Sequence, residues 1–236
     1  MKRILGVLLL SAALVAGLAA QDLFLGLGRA PSFRVGPGKD SAGVQVYSFN
    51  YVYAAVVFDK AGKIVDIEVD GLEVATPNYD GESMPHFPGW PGSVPYNFTD
   101  HASKKVAGTS PTNVEAVAEA VNKWQTKRDR GDNYGMNPKN DWYHQMDRFE
   151  KIFIGKTVDE LDAWFKKYLS DVNGRPLNPA TTNEKDKAKV DPLSAAEKAM
   201  LVDVRSGATM SLNDSHGSFV TLIRDAWDKR KPFGGK

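Results

Sequence analysis

The feature that most constrains the fold of this chain is a strand-forming run that turns back on itself between residues 44 and 69. Residues 44–58 are dense in β-branched and aromatic side chains, which favour β-strands. A turn containing Gly62 follows, and the chain then returns with apolar residues that alternate with acidic ones. Ile64 breaks this alternation, so the expected buried face consists of Val65, Ile67 and Val69. The sequence therefore predicts an antiparallel hairpin with one buried face and one solvated face.

Amphipathic patterns and capping residues predict several helices after this hairpin. One helix is expected from about Asn113, and a second has Asp141 as its N-cap. Capping boxes at Thr157 and Ser194 open two more, the latter ending at about Leu201. A last helix buries one face made of Phe219, Leu222, Ile223, Ala226 and Trp227. These elements predict an α+β fold, in which helices pack on a small, twisted, mostly antiparallel sheet.

Two long stretches lack the regular spacing of apolar residues that predicts a helix or a strand. Residues 76–100 contain five prolines interleaved with aromatic residues, which argues against regular structure. Such a segment either covers a flat ring system or forms a surface loop with its own small core. Residues 173–192 are polar and charged and are expected to form a flexible linker or excursion.

Composition excludes several kinds of function. The 236 residues include 30 basic and 29 acidic side chains, and this balance gives no reason to expect nucleic acid as a partner. The chain has no cysteine, which excludes disulfides, cysteine-ligated iron–sulfur clusters and a cysteine-linked lipid anchor. His86, His101, His144 and His216 show no metal-ligand spacing, so no metal site is expected.

The N-terminus has the pattern of an export signal. Lys2 and Arg3 precede an apolar run that extends from residue 4 to residue 20 and ends in small residues. We expect residues 1–20 to be a signal peptide cut after Ala19 or Ala20, the alternative being an uncleaved membrane anchor. In both cases the folded part lies outside the cytoplasm, in the periplasm, at the cell surface or in the medium.

A second motif, near the C-terminus, carries the chemistry. Residues 203–211 combine small residues with hydroxyls, and an amphipathic helix is expected downstream. Small residues let backbone N–H groups approach a phosphate, and a helix start adds further donors. Thr209 is therefore a candidate attachment point for a phosphate-bearing cofactor. The alternative is a turn in which Thr209 or Ser211 serves as a helix N-cap.

The order Asp203-x-x-Ser206-Gly207-Ala208-Thr209-x-Ser211 resembles the flavinylation motif of the FMN-binding domain family. That family includes the C subunit of sodium-translocating NADH:quinone reductase, the Rnf G subunit and extracellular FMN-binding lipoproteins. The 44–69 hairpin and the stretch 142–160 are also similar to regions of these proteins. The resemblance implies covalent FMN on Thr209 through a phosphoester. It also implies phosphate contacts from Ser206 and from the backbone near Gly207 and Ala208. Asp203 either belongs to the recognition sequence of the modifying enzyme or caps the turn.

The resemblance implies an exported electron carrier rather than a self-contained enzyme, so no catalytic residue is assigned. A flavin transferase is expected as a maturation partner, and redox proteins or small molecules as electron donor and acceptor. The expected domains are a flexible leader at 21–42, an FMN-binding domain at 43–230 and a basic tail at 231–236. The alternative for residues 22–42 is an edge segment of the fold. Trp90, Trp142 and Tyr143 are candidate neighbours of the isoalloxazine ring, with core packing as the alternative for each. The other candidate functions are the flavin-bearing domain of an extracytoplasmic reductase and an exported binding module without cofactor.

Overall fold

The computed structural model describes residues 22–136, 141–214 and 217–233, so the expected signal peptide, His216 and the last three residues of the expected basic tail lie outside the described residues. The strands are β1 (Phe24–Lys39), β2 (Gln45–Phe58), β3 (Ile64–Ala75), β4 (Asn97–Asp100), β5 (Lys105–Thr109), β6 (Asn213–Asp214), β7 (Gly217–Ser218) and β8 (Lys231–Pro232). The helices are α1 (Val114–Asn122), α2 (Lys127–Arg130), α3 (Trp142–Phe153), α4 (Val158–Tyr168), α5 (Glu184–Val190), α6 (Ala195–Gly207) and α7 (Phe219–Asp228), with a 3₁₀ turn at Gly131–Asn133. In these described ranges no helix is long and apolar enough to cross a membrane.

The expected α+β fold is confirmed. The main sheet has the antiparallel order β3-β2-β1-β8, and two short hairpins are formed by β4 with β5 and by β6 with β7. One face of the main sheet packs on α3 and α7, and α4 packs on α7. The largest buried cluster combines sheet residues such as Val56 and Phe58 with helix residues such as Phe149, Leu161 and Ile223.

The first strand corrects the expectation of a flexible leader at 21–42 and agrees with the alternative of an edge segment. Residues Phe24–Lys39 form β1, which pairs with β2 from Phe24 to Lys39 but with β8 at only two positions. Gly26 and Gly28 lie where α7 crosses this strand. A Cβ at Gly28 would lie 2.1 Å from the carbonyl oxygen of Leu222, so only glycine lets the helix approach the strand this closely. These glycines are therefore packing residues and do not break the strand.

The register between β2 and β3 corrects the expected buried face of the hairpin. Val57 pairs with Asp66, whereas Phe58 pairs with Ile64, so a bulge leaves Val65 without a place in the regular alternation. Ile64 is buried as a result and Val65 is 40% exposed. Ile67 and Val69 are buried as expected. The core-facing series then continues along the strand to Glu73.

The predicted helix starts are confirmed by side-chain caps at Asn113, Asp141, Thr157 and Ser194. The helix opened by Ser194 continues beyond the expected end to Gly207, because it buries Val204 as well as Leu201 against its neighbours. The segment 173–192 is not simply a linker. It contains α5, and Leu177, Val190 and Leu193 form a small buried cluster with Leu201.

Candidate cofactor site

The motif lies at the C-terminal end of a helix rather than at a helix start. α6 contains Asp203 and Ser206 and ends at Gly207, after which Ala208 takes an extended conformation with φ −149° and ψ 117°. The next helix begins only at Phe219, so the expectation that a helix N-terminus supplies donors beside the motif is wrong. The end of α6 carries the negative end of the helix dipole. A phosphate at this place therefore needs its positive partners from other elements.

The alternative interpretation of the motif as a helix cap is also wrong. The N-cap position of α7 is occupied by Ser218, and neither Thr209 nor Ser211 caps this helix. Ser211 instead accepts a hydrogen bond from the N–H of Asn213 at 3.4 Å. Thr209 and Ser211 thus belong to the irregular segment between α6 and β6.

Thr209 is held in place by Gln145 of α3. The side-chain oxygen of Gln145 accepts hydrogen bonds from the N–H of Thr209 at 2.8 Å and of Met210 at 2.9 Å. Gln145 is only 3% exposed, so this contact is shielded from water. On either side of the pair, the chain is fixed by the buried residues Ala208 and Leu212. Thr209 itself is partly buried.

Thr209 forms part of the wall of a cavity of about 550 Å³. This volume lies within the range of about 300–1,000 Å³ that is common for ligand and cofactor sites. The cavity lies between the core-facing side of β1–β3, the start of α3 and the segment after α6. Its apolar wall includes Val52, Met84, Tyr134, Trp142, Met210 and Phe219. Its polar wall includes Arg34, Glu73, Lys127, Gln145, Arg175 and Ser211.

One of the three aromatic residues expected near a flat ring lies in this wall. Trp142 lines the cavity and is also a buried core residue, 6% exposed. Trp90 lines a different cavity, and the hydroxyl of Tyr143 donates a hydrogen bond to Asp132 at 2.9 Å. Tyr134 is a second aromatic wall residue that the sequence did not indicate, because it follows a 3₁₀ turn in a stretch without periodicity.

A buried ion pair between Glu73 and Lys127 lies beside these rings. The Lys127 ammonium is 3.1 Å from a carboxylate oxygen of Glu73, whose other oxygen contacts Arg34 at 3.4 Å and accepts the Ser48 hydroxyl at 3.1 Å. Burial disfavours the Lys127 ammonium, but the interactions with Tyr134 and Glu73 outweigh burial and raise its pKa. The sequence feature that could have revealed this pair is the position of Glu73, which falls on the same face of β3 as the buried residues Ile67 and Val69.

Two arginines, Arg175 in a neighbouring loop and Arg205 in α6, lie on the side of the motif where this loop packs. Arg175 lines the same cavity as Thr209, whereas Arg205 donates to the carbonyl of Pro176 at 2.7 Å. Burial, followed by the charge of Arg175, lowers the pKa of Arg205. Gly174, with φ +66°, lets this loop approach the motif closely, since a Cβ there would lie 2.5 Å from the Ser211 hydroxyl. The sequence did not indicate Arg175, because its role depends on this loop contact.

The other motif residues lie outside the cavity wall. Asp203 is exposed and accepts hydrogen bonds from Arg148 through both its carboxylate and its backbone carbonyl. The Ser206 hydroxyl donates to the carbonyl of Asp203 at 2.6 Å, within the helix. Gly207 faces the side chain of Arg148, which a Cβ would meet at 3.5 Å. Of the six motif residues, the cavity wall contains Thr209 and Ser211.

The proline-rich segment 76–100 contributes residues to the cavity wall and also forms a small aromatic cluster of its own. Its residues Tyr79, Ser83 and Met84 line the cavity that contains Thr209. Its residues Phe87 and Trp90 pack edge to face at 5.0 Å in a separate aromatic cluster. The segment therefore contributes to the candidate site and also forms a small core of its own.

Among the described residues, His86, His101 and His144 do not line the candidate cavity. His86 and His101 stack on each other with ring centroids 5.2 Å apart, and His144 lies 3.5 Å from Asp132. Within residues 22–136, 141–214 and 217–233, no three histidine or acidic side chains converge as metal ligands.

Comparison with known proteins points to redox chemistry. A chlorophenol reductase from Desulfitobacterium hafniense is 37% identical to this chain over 221 residues, which are 90% of this chain and 60% of the relative. The chain thus spans less than two thirds of the length of that relative. No protein-family model matches the chain, and no solved structure matches it significantly. The protein is therefore similar to a reductase, and its resemblance to FMN-binding proteins rests on the motif residues.

Proposed function

We propose that Thr209 carries FMN through a phosphoester and that the protein is an electron carrier outside the cytoplasmic membrane. The observation that carries this proposal is the position of Thr209 in the wall of a cavity of about 550 Å³ that also contains a buried indole and several cations. A tethered flavin needs these three features at one place. The extracytoplasmic location rests on the N-terminal pattern at residues 1–20.

The side chains around the cavity fit a flavin mononucleotide. Arg175 and Arg34 supply positive charge for the phosphate, which the C-terminal end of α6 does not. Trp142 and Tyr134 offer flat apolar surfaces for the ring system. The Lys127 ammonium lies 5.7 Å from the centre of the Tyr134 ring and 5.8 Å from that of the Trp142 ring. Its charge favours negative charge beside these rings. When bound, FMN supplies electron-transfer chemistry, and the protein orients it and tunes its potential.

The exposed residues of the motif fit a role in recognition by a flavin transferase. Asp203 and Ser206 lie on the surface of α6 outside the cavity, where another protein can reach them. In the attachment step, the Thr209 oxygen bonds to the phosphorus of an activated flavin nucleotide. The phosphoanhydride bond of that nucleotide breaks, and the hydroxyl proton and the nucleotide leaving group are released. The transferase is then an obligate partner in maturation, and redox donors and acceptors are the working partners.

Intact mass and the visible spectrum of protein exported from a host with a flavin transferase test this proposal. We expect a mass gain of one FMN less one water and a yellow colour that survives denaturation. Thr209→Val, which removes only the hydroxyl, loses both signals. Thr221→Val makes the same change on the exposed surface of α7 and keeps both. A colourless, unmodified wild-type protein would favour an exported binding module without cofactor.

A second candidate function is the flavin-bearing domain of a reductase that acts on a chlorinated phenol. The observation that favours it is the 37% identity to a chlorophenol reductase over 90% of this chain. Reoxidation of the reduced, modified protein distinguishes the two functions. Rapid reoxidation by a chlorophenol, with release of chloride, supports the reductase. Reoxidation by carrier proteins alone supports the electron carrier.

A further inference from the structure

A second cavity lies on the face of the main sheet opposite to the candidate cofactor site. Phe33 of β1, Phe49 of β2 and Val74 of β3 are aligned across the three strands and point to this outer face. Because side chains alternate along a strand, Glu73 faces the Thr209 cavity while its neighbour Val74 faces the second one. The two cavities are therefore separated by the thickness of one sheet.

The second cavity is recessed and has aromatic walls. The proline-rich segment and α1 rise beside the sheet and border an open recess of about 890 Å³. Phe33 and Tyr47 stack with centroids 5.7 Å apart on the sheet side. On the other side, Phe87 packs edge to face on Trp124 at 6.1 Å. A flat dimer interface would not need such a recess, whereas a small molecule with ring systems does.

The chemistry of the walls indicates a neutral ligand. None of the described residues that line this cavity carries a charge. The Trp124 indole N–H already donates to the carbonyl of His86 at 3.1 Å, so a ligand is not required to satisfy it. At the rim, Trp90 is 72% exposed and Phe49 is 48% exposed. Leaving aromatic surface of this extent in water is unfavourable, and burying it is the driving force for binding.

We propose that the cavity lined by Phe33, Phe49, Val74, Trp90 and Trp124 binds a neutral, planar aromatic molecule. Its volume is in the upper part of the range of small-molecule sites, so the ligand has more than one ring. Offset or edge-on contacts with the wall residues orient the rings. The proposal goes beyond the flavin function and does not depend on it.

Titration with N-phenyl-1-naphthylamine, a neutral fluorescent aromatic compound, tests this site. We expect a saturable fluorescence increase with one probe per chain and energy transfer from tryptophan. Phe49→Glu places a charge in the wall and weakens binding about tenfold or more, because the charge must be desolvated. Leu27→Glu introduces the same charge on the same face of β1, outside the cavity and at a residue that is 66% exposed, and leaves binding unchanged.

Three results would overturn the proposal. The first is an unsaturable signal, or equal binding by the Phe49→Glu and Leu27→Glu variants. The second is a dimer in sedimentation analysis that Phe49→Glu dissociates, with no probe binding, which would assign the face to a second copy. The third is binding to phosphatidylcholine vesicles without binding of the free probe.

Trp90→Ala changes a rim residue that the fold does not bury, so it keeps the test valid if Phe49→Glu fails to fold. Thr209→Val is expected to bind the probe like wild type, which separates this site from the flavin site.

Discussion

The backbone N–H of Thr209 lies 2.8 Å from the side-chain oxygen of Gln145, and this contact ties the segment after α6 to α3. The same oxygen accepts the N–H of Met210 at 2.9 Å. Two successive N–H groups that converge on one point form a concavity suited to a negative atom, and here the amide oxygen of Gln145 fills it. Because α3 also carries Trp142, a single helix positions both the proposed attachment point and the proposed ring surface.

Replacing Gln145 by alanine is expected to lower the free energy of unfolding by about 2 kcal/mol, because two amides lose their shielded acceptor. Urea denaturation measures this change. The variant is also expected to carry less flavin, since Thr209 is no longer held at the cavity wall. Gln125→Ala, at an exposed position, is the matched control and leaves both quantities unchanged. Equal stability of the two variants would contradict a structural role for the Gln145 contact.

Gly207→Ala is expected to separate recognition of the motif from folding. A Cβ at this helical position would meet the Arg148 side chain only at 3.5 Å, which is an ordinary contact. Alanine is also the better helix former, so stability is expected to equal that of wild type or exceed it by up to about 1 kcal/mol. The modified fraction, measured by intact mass, is nevertheless expected to fall, because the proposed transferase has to recognise the motif that contains Gly207. Full modification of a stable variant would show that glycine is dispensable here.

The ion pair of Lys127 and Glu73 is expected to behave as a coupled unit. Lys127→Met removes the cation that lies 3.1 Å from the Glu73 carboxylate, itself 4% exposed, and costs about 3 kcal/mol. Adding Glu73→Gln removes the negative charge of the buried carboxylate and recovers part of the lost free energy of unfolding. A double-mutant cycle in urea is expected to give a coupling energy of at least about 1 kcal/mol. Additive effects would mean that the two charges act independently.

Elements whose signals are local could be predicted from the sequence. A cap is decided by a few neighbouring residues, so Thr157 and Ser194 correctly marked the starts of α4 and α6. The face of α7 followed from the spacing of its apolar residues. Strand β1 was predicted only as one of two alternatives, because the packing role of Gly26 and Gly28 depends on the distant backbone of α7. The burial of Ile64 instead of Val65 depends on a bulge in the pairing with β2.

The candidate site was predicted only at its centre. Thr209 and Ser211 were identified by the motif, and Trp142 as one of three aromatic candidates. The rest of the wall comes from residues that are distant in sequence and meet only in the folded chain, such as Arg34, Glu73 and Lys127. The position of the motif at the C-terminal end of α6 was missed, because the continuation of this helix to Gly207 depends on the tertiary burial of Val204.

The stacked pair of His86 and His101 is expected to make stability depend on pH. Burial, followed by the nearby charge of His101, lowers the pKa of His86 to about 4. The unfolded chain binds the proton near pH 6.5, whereas the folded chain resists it until about pH 4. The unfolded state therefore holds more protons between these values, and stability falls as the pH falls through this window. His86 accounts for a loss of about 2 kcal/mol between pH 7 and pH 5.

Urea denaturation at pH 7 and pH 5 measures this loss, although carboxylates that titrate near pH 5 also affect the absolute values. The comparison of variants isolates the contribution of His86. His86→Gln is expected to lose clearly less stability than wild type between the two pH values, because glutamine does not titrate. His144→Gln, at a side chain that is 45% exposed, is the matched control for the substitution itself. If His86→Gln lost as much stability as wild type between pH 7 and pH 5, the burial of the neutral His86 imidazole would not be the cause of that loss.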